Sequence, residues 1–280
     1  MTAAGIGTVF DSAAVQYAEV SPLLWDRIGA ATVTAAAIGA GERVLDVCSG
    51  AGSSAIPAAR AAQPHGHVDA IDLAGELLAH GRRRAAAEGL QNVRFVQADA
   101  TAWEGPAYDV VQCVHGVFFL PDMDASVSRL AALLRPGGRL VITTWAQGAM
   151  EGFGRLLGEA VGHVRRAQVE PPSSRQAASR IGTEEDLHAW LAARGLTQVT
   201  VTRFPLRIPL DAALAWRVVL GSGFRGMLAG GPATPAHPRA DRRARPSPGA
   251  AGRSCGLSRR RSARAGRRGR GGAGRAVPCR

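Results

Sequence analysis

The stretch LDVCSGAGSS (45–54) decides how this chain folds. It starts inside a β-rich run, RVLDVC (43–48), and passes through a turn holding Gly50 and Gly52. It then enters a run of small residues that reads as a helix to about Gln63. Glycine lets the backbone approach a ligand closely, and the free amides of a helix N-terminus favour an anion. Outward from this corner the pattern repeats. HVDAID (67–72) reads as a second strand, Leu73–Glu88 as a helix, VRFVQ (93–97) as a third strand and YDVVQCV (108–114) as a fourth. Asp122–Leu134 reads as a helix, and the turn RPGG (135–138) leads into a fifth strand, RLVITTW (139–145). Thr183 with Asp186 three residues on is a capping pattern that starts a helix running to Arg194. QVTVTRFPLRI (198–208) alternates as a sixth strand. Strands alternating with helices imply an α/β fold, a Rossmann-like and mainly parallel sheet with helices on both faces. Residues 146–182 show no clear period and contain PPSSR (171–175), so they read as a lid or a substrate-facing insertion.

Acidic residues stand where the strands end. Asp46 lies in the first strand, and Asp72 ends the second, twenty residues beyond Gly52. An acid at that place can accept both hydroxyls of a ribose, or can cap the helix that follows; the two roles are compatible. Asp99, in QADAT (97–101), follows the third strand and can accept from an exocyclic amine such as adenine's. These positions share the carboxyl ends of neighbouring parallel strands, where open α/β sheets bind ligands.

Together these residues resemble the class I S-adenosylmethionine-dependent methyltransferases over about residues 8–210. The resemblance leans toward the small-molecule branch, which includes quinone-biosynthesis C-methyltransferases and many bacterial natural-product methyltransferases. LDVCSGAG matches the family's first motif, with Cys48 in place of its first glycine. YDVVQCVHGVFFLPD (108–122) matches the fourth-strand motif and LLRPGGRLVITTW (133–145) the fifth-strand block. FDSAAVQYAEV (10–20) resembles the helix that closes over the cofactor in this branch. The resemblance implies S-adenosyl-L-methionine as cofactor and a small-molecule acceptor, methylated at C, O or N. It implies a cofactor site built from Tyr17, Asp46, Cys48, Ser49, Gly50, Gly52, Asp72, Leu73, Asp99, Ala100 and His115. His115, just past the fourth strand, is the one candidate catalytic residue, either as a base or as a positioning group.

Other readings compete. Gly50-Ala51-Gly52-Ser53-Ser54-Ala55 also fits the GxGxxG/A fingerprint of NAD(P)-binding Rossmann oxidoreductases. In that fold the strand runs directly into the first glycine; here four residues, Asp46 to Ser49, intervene. A binding-only homologue that keeps the cofactor without chemistry is a third reading, and it predicts a cofactor pocket with no acceptor cavity. The fourth strand is followed by VHGVFF, not by the Pro-Pro-aromatic motif of amino-methylating nucleic-acid enzymes. Cys48 and Cys113 read as small packing residues, Trp103 as a packing group, Trp145 as a packing group or a wall of the acceptor pocket, and Arg82–Arg84 as a solvated helix face.

Composition sets the limits. The chain has 280 residues, 46% hydrophobic and 20% charged, enough for a sizeable core. The net charge of +12 is concentrated at one end. Residues 1–230 hold 20 Arg against 21 acidic residues, and residues 231–280 hold 14 Arg against Asp241 alone. The body is nearly neutral, so no nucleic-acid partner is expected for it. Ala, Gly, Pro and Arg make up 39 of the last 50 residues, too few large apolar groups for a core, which reads as disorder. A solvated tail, an arm for nucleic acid or anionic membrane, and a shifted reading frame stay open for that segment. The chain therefore divides into an N-terminal helical cover (1–42), a cofactor-binding domain (43–230) and the basic tail (231–280). The longest uncharged stretch, Ile28–Gly41, has 14 residues, short of the roughly 20 apolar residues of a membrane span. Four scattered cysteines without a metal spacing, and no signal peptide, point to the cytoplasm. The family normally adds a seventh, antiparallel strand, and no second apolar strand follows the sixth here.

Overall fold

The computed structural model describes residues 3–169 and 173–228. Five parallel strands carry the fold: β1 (Arg43–Val47), β2 (His67–Asp72), β3 (Val93–Gln97), β4 (Tyr108–Val114) and β5 (Leu134–Thr143). Their spatial order is β3-β2-β1-β4-β5, so the chain reverses direction across the sheet between β1 and β4. Such a reversal opens a crevice at the carboxyl ends of those two strands, because the connections leave it on opposite sides.

The side-chain alternation of β1 shows both faces covered. Leu45 and Val47 enter one core with Val111, Cys113 and Ile71, closed by α5 (Met123–Ala132) and α8 (Glu184–Ala192). Val44 enters the other with Val68, Ala70 and Val110. That second core is closed by α2 (Trp25–Ala36), α3 (Ala55–Ala62) and α4 (Gly75–Ala87). Each fully buried aliphatic side chain of this kind contributes about 1.5–3 kcal/mol. Asp122 and Thr183 cap α5 and α8 by accepting from backbone amides within their first turns. The remaining helices are α1 (Ala3–Val20), α6 (Glu151–Arg165), α7 (Ser173–Ser179) and α9 (Ala212–Leu220), followed by a 3-10 turn at Gly223–Leu228. α1 packs on α4 and α9 and so forms a cover over the carboxyl ends of the strands.

Three readings of the sequence need correction. The sixth strand does not form among the described residues. Residues 198–208 run without a ladder partner, although Val199, Val201, Leu206 and Ile208 pack inward against the cores. Alternation reports which side chains are buried; it carries no information about whether the backbone finds an edge to pair with. The RPGG turn is absorbed into β5: Tyr108 pairs with Leu134 but Val110 with Arg139, so residues 135–138 bulge opposite Asp109. The region 146–182 is not aperiodic but holds α6 and α7. The basic tail, 231–280, lies outside the described residues.

Candidate active site

The glycine corner takes its shape from three left-handed residues. Cys48, Gly50 and Gly52 have φ of 57°, 52° and 81°. Glycine adopts these angles without cost, whereas a side chain there costs about 1–2 kcal/mol. Cys48 occupies such a position, which is the physical reason for a glycine there in the family. Its thiol hydrogen-bonds Cys113 and is buried, and both effects push its pKa well up, so it is a packing thiol and no nucleophile.

Asp72 closes the corner from β2. One carboxylate oxygen accepts from the Gly50 amide (2.8 Å) and the other from the Ala74 amide (2.8 Å). It thus initiates α4 and braces the turn together, and each oxygen keeps a second lone pair for a ligand. Burial pushes its carboxyl up, against the backbone amides of Ala74, Gly50 and Leu73. Since Gly50 spends its amide on Asp72, that donor is taken before any dinucleotide phosphate arrives. Asp46 is fully buried and accepts from the Ser54 hydroxyl (2.7 Å) instead of from the turn amides. Its second oxygen and the Ser49 hydroxyl are buried without partners. Burial pushes Asp46 up to about 7. Asp99 turns one oxygen to the amide and hydroxyl of Thr101 (2.8 and 2.7 Å).

Above the switch between β1 and β4 lies a cavity of about 740 Å³. One end is walled by Gly50, Asp72, Leu73, Asp99 and Ala100. Tyr17 of α1 reaches this end, its hydroxyl oxygen 3.1 Å from where a β-carbon on Gly50 would stand. Burial pushes the Tyr17 phenol up, and the charges of Asp72 and Asp26 add to the effect. The middle of the cavity is aromatic. Tyr17 stacks on Trp25 at 5.5 Å, Trp25 meets the edges of His115 and Trp145 at 6.3 and 6.2 Å, and His115 lies 4.1 Å from Trp145. His115 has a left-handed φ of 51° and donates its amide to the Thr143 carbonyl, which turns the ring off the end of β4 into the cavity wall. Its Nδ1 is buried without a partner, and burial pushes the imidazole down to about 3, so it is neutral at pH 7. The far end is walled by α6, α7 and the 3-10 turn after α9.

The structure therefore gathers Tyr17, Cys48, Gly50, Asp72, Leu73, Asp99, Ala100 and His115 on one cavity. Asp46, Ser49 and Gly52 stand behind its wall, in the corner itself. Sequence reading missed Trp25, whose Nε1 is buried without a partner. It also missed a clamp behind the corner. Asp26 of α2 accepts from the Ser53 hydroxyl (2.7 Å) and pairs with Arg84 (3.0 Å), which donates to the Ala51 carbonyl (3.1 Å). Arg84 is thus a strut rather than a solvated charge; a WD pair opening a helix and a triple Arg carry no local sign of this.

A methyltransferase domain family matches residues 44–138, from β1 to the start of β5. Over those residues the chain is similar to methyltransferase domains, the same stretch that carries the LDVCSGAG corner and Asp72. An uncharacterised protein of Mycobacterium tuberculosis is 38% identical to it over 143 residues, which is half of each chain. The aklanonic acid methyltransferase DauC of a Streptomyces species is 37% identical over 106 residues, covering 37% of this chain and 48% of that one. The ubiquinone/menaquinone biosynthesis C-methyltransferase UbiE of Hahella chejuensis is 31% identical over 152 residues, covering 51% of this chain and 60% of that one. The matches span about half the length of these relatives. The helices α6, α7 and α9 lie beyond the matched family segment.

Proposed function

We propose that this protein transfers the methyl group of S-adenosylmethionine to a small organic acceptor held in the far half of the cavity. The observation that carries this reading is the continuity of that cavity, from the carboxylates of Asp72 and Asp99 past His115 and Trp145 to α6 and α7. A binding-only homologue needs no such second half. The names of the relatives, for aklanonic acid and for quinone biosynthesis, support a small organic acceptor and a biosynthetic role. No helix among the described residues is long and apolar enough to cross a membrane.

The residues fit the cofactor. Asp72 offers two lone pairs to a ribose diol, and Asp99 keeps one oxygen free of Thr101 for an adenine amine. Gly50 leaves backbone bare beside Tyr17, and Leu73 and Ala100 supply apolar walls. Asp46 and Ser49 are buried behind this wall and shape the corner from the rear. S-adenosylmethionine, when bound, supplies an electrophilic methyl on a sulfonium. The protein's remaining task is to align an acceptor with that methyl and to keep water out. Trp25, Trp145 and Tyr17 offer π faces, which attract a cation at about 6 Å or less. His115 is neutral and free to hydrogen-bond an acceptor hydroxyl, and in this reading it orients the acceptor rather than serving as an obligatory base.

The test combines two measurements. Methyl-labelled cofactor is incubated with the protein and an extract of the producing cell, and mass spectrometry identifies what becomes labelled. Label in a small molecule is expected; label only in nucleic acid or protein, or none, overturns the reading. His115→Gln separates the roles of the imidazole. A positioning group predicts that affinity and single-turnover rate fall together and that Gln retains much of both. A variant that binds normally but transfers nothing makes His115 the base.

A further inference from the structure

The end of β5 and the turn after β4 bring two rings together. Thr143, the last residue of β5, meets Thr32 of α2 hydroxyl to hydroxyl at 2.7 Å. Trp145, two residues on, meets Trp25 of the same helix at 6.2 Å. Strand periodicity thus turns both side chains toward α2. His115 reaches the same place from β4: its left-handed φ of 51° bends the chain off the strand, and its amide donates to the Thr143 carbonyl at 2.9 Å.

The contacts of the imidazole are unequal. Trp25 and Phe118 stand 6.3 and 6.4 Å from it, edge to face, whereas Trp145 lies over it at 4.1 Å with a tilt of 38°. Aromatic pairs ordinarily sit about 4.5–7 Å apart, so this contact is close for two rings. Ionisable side chains reach the shared cavity from the elements around the ring: Tyr17 from α1, Cys48 from the corner, Asp72 from β2, Asp99 after β3 and Glu151 from α6. The Nδ1 atom bonds none of them, and burial is what acts on the ring's charge. We infer that Trp145 is a positioning residue for His115: its indole covers one face of the imidazole, fixes the ring at the cavity wall and keeps water from it. This rests on the methyl-transfer reading for the use of the ring, but the contact itself can be tested with no acceptor present. A neutral imidazole has one donor and one acceptor nitrogen, whereas the protonated ring has donors only. Trp145 preserves the form that can accept the proton of an acceptor hydroxyl.

The experiment follows the Cε1 signals of the full chain, labelled with 13C-histidine, by NMR from about pH 8 to about pH 4.5. His115→Gln identifies the His115 signal among the seven histidines. In the parent this signal should hold its neutral position throughout. In Trp145→Leu it should titrate, with a midpoint moved up toward the ordinary value of about 6.5. Trp145→Phe restores a ring over the imidazole and should restore the neutral signal. Phe118→Leu removes an edge contact alone and should leave the signal neutral. The other six histidines report on the fold, and their titrations should not change. Should Trp145→Leu fail to fold, Trp145→Met takes its place with the same expected titration. A parent signal that already titrates near 6.5, a signal that stays neutral without the indole, or a Phe118→Leu shift as large as that of Trp145→Leu overturns the inference. Failure of S-adenosylhomocysteine to bind the unmodified protein would instead overturn the methyl-transfer reading, so the two failures are distinct.

Discussion

Asp72 does two things with one carboxylate, and the residue scale is where that can be separated. Asp72→Ala removes a buried group that braces Gly50 and faces the cavity. Loss of such a charge-assisted partner is worth roughly 1.5–3 kcal/mol, so S-adenosylhomocysteine should bind about tenfold to a hundredfold more weakly by calorimetry. Circular dichroism should show the fold intact. His115 supplies a pH signature. Its folded pKa of about 3 lies below the ordinary 6.5, so as pH falls the unfolded chain takes the proton first. The stability it contributes is complete above pH 6.5 and is lost progressively toward pH 3, at no more than about 1.4 kcal/mol per pH unit. Urea midpoints at pH 7 and pH 4.5 should therefore differ less in His115→Gln than in the parent; an equal difference would show that the ring is hydrated. Cys48 and Gly116 form a coupled pair, since a β-carbon at Gly116 would collide with Cys48 and stand 3.0 Å from the Cys113 sulfur. Gly116→Ala should lower Tm, and adding Cys48→Gly should recover part of the loss, a coupling that a thermal double-mutant cycle reads directly.

At the scale of elements, the N-terminal cover is also held by contacts behind the cavity wall. α2 crosses the glycine corner at Gly29, where nothing larger than hydrogen fits against the Ser53 carbonyl. Asp26 then ties α2 to Ser53 and Arg84 on either side of the corner. Since α2 begins with Trp25 and its partner Tyr17 sits on α1, loosening the clamp should tilt the aromatic wall. Asp26→Ala is expected to weaken S-adenosylhomocysteine binding by roughly 5–30-fold, equivalent to about 1–2 kcal/mol for a half-exposed charged partner. Unchanged affinity in calorimetry would show that the cover is packing alone. At the other edge of the sheet, β5 pairs only with β4 among the described residues, and residues 198–208 add no ladder.

For the molecule as a whole, ligand binding should read out as stability, because the cavity draws walls from α1, α2, β2, β4, α6 and α7 at once. A ligand at a hundred times its Kd stabilises the folded state by about 2.7 kcal/mol. For a unit of this size that corresponds to a rise in Tm of roughly 5–11 °C. S-adenosylhomocysteine should produce it and NAD should not; a shift with NAD alone would return the glycine corner to the dinucleotide reading.

What could be read in the chain without a structure was everything that depends on near neighbours. Period-two apolar runs, Gly50 and Gly52, and acids at strand ends are local signals, and they located β1 to β5, the corner and the carboxylates Asp72 and Asp99. Left-handed Cys48 also follows from its place in the motif. The rest depends on residues brought together from far apart. Trp25, His115 and Trp145 share one wall although 120 positions separate the first and last. Asp26 meets Arg84, and Phe224 lies over Gly154, with no pattern in the chain to pair them. Residues 198–208 show the same limit from the other side. Their alternation states which side chains turn inward, but a strand exists only where a second backbone offers its hydrogen bonds, and tertiary structure alone decides that.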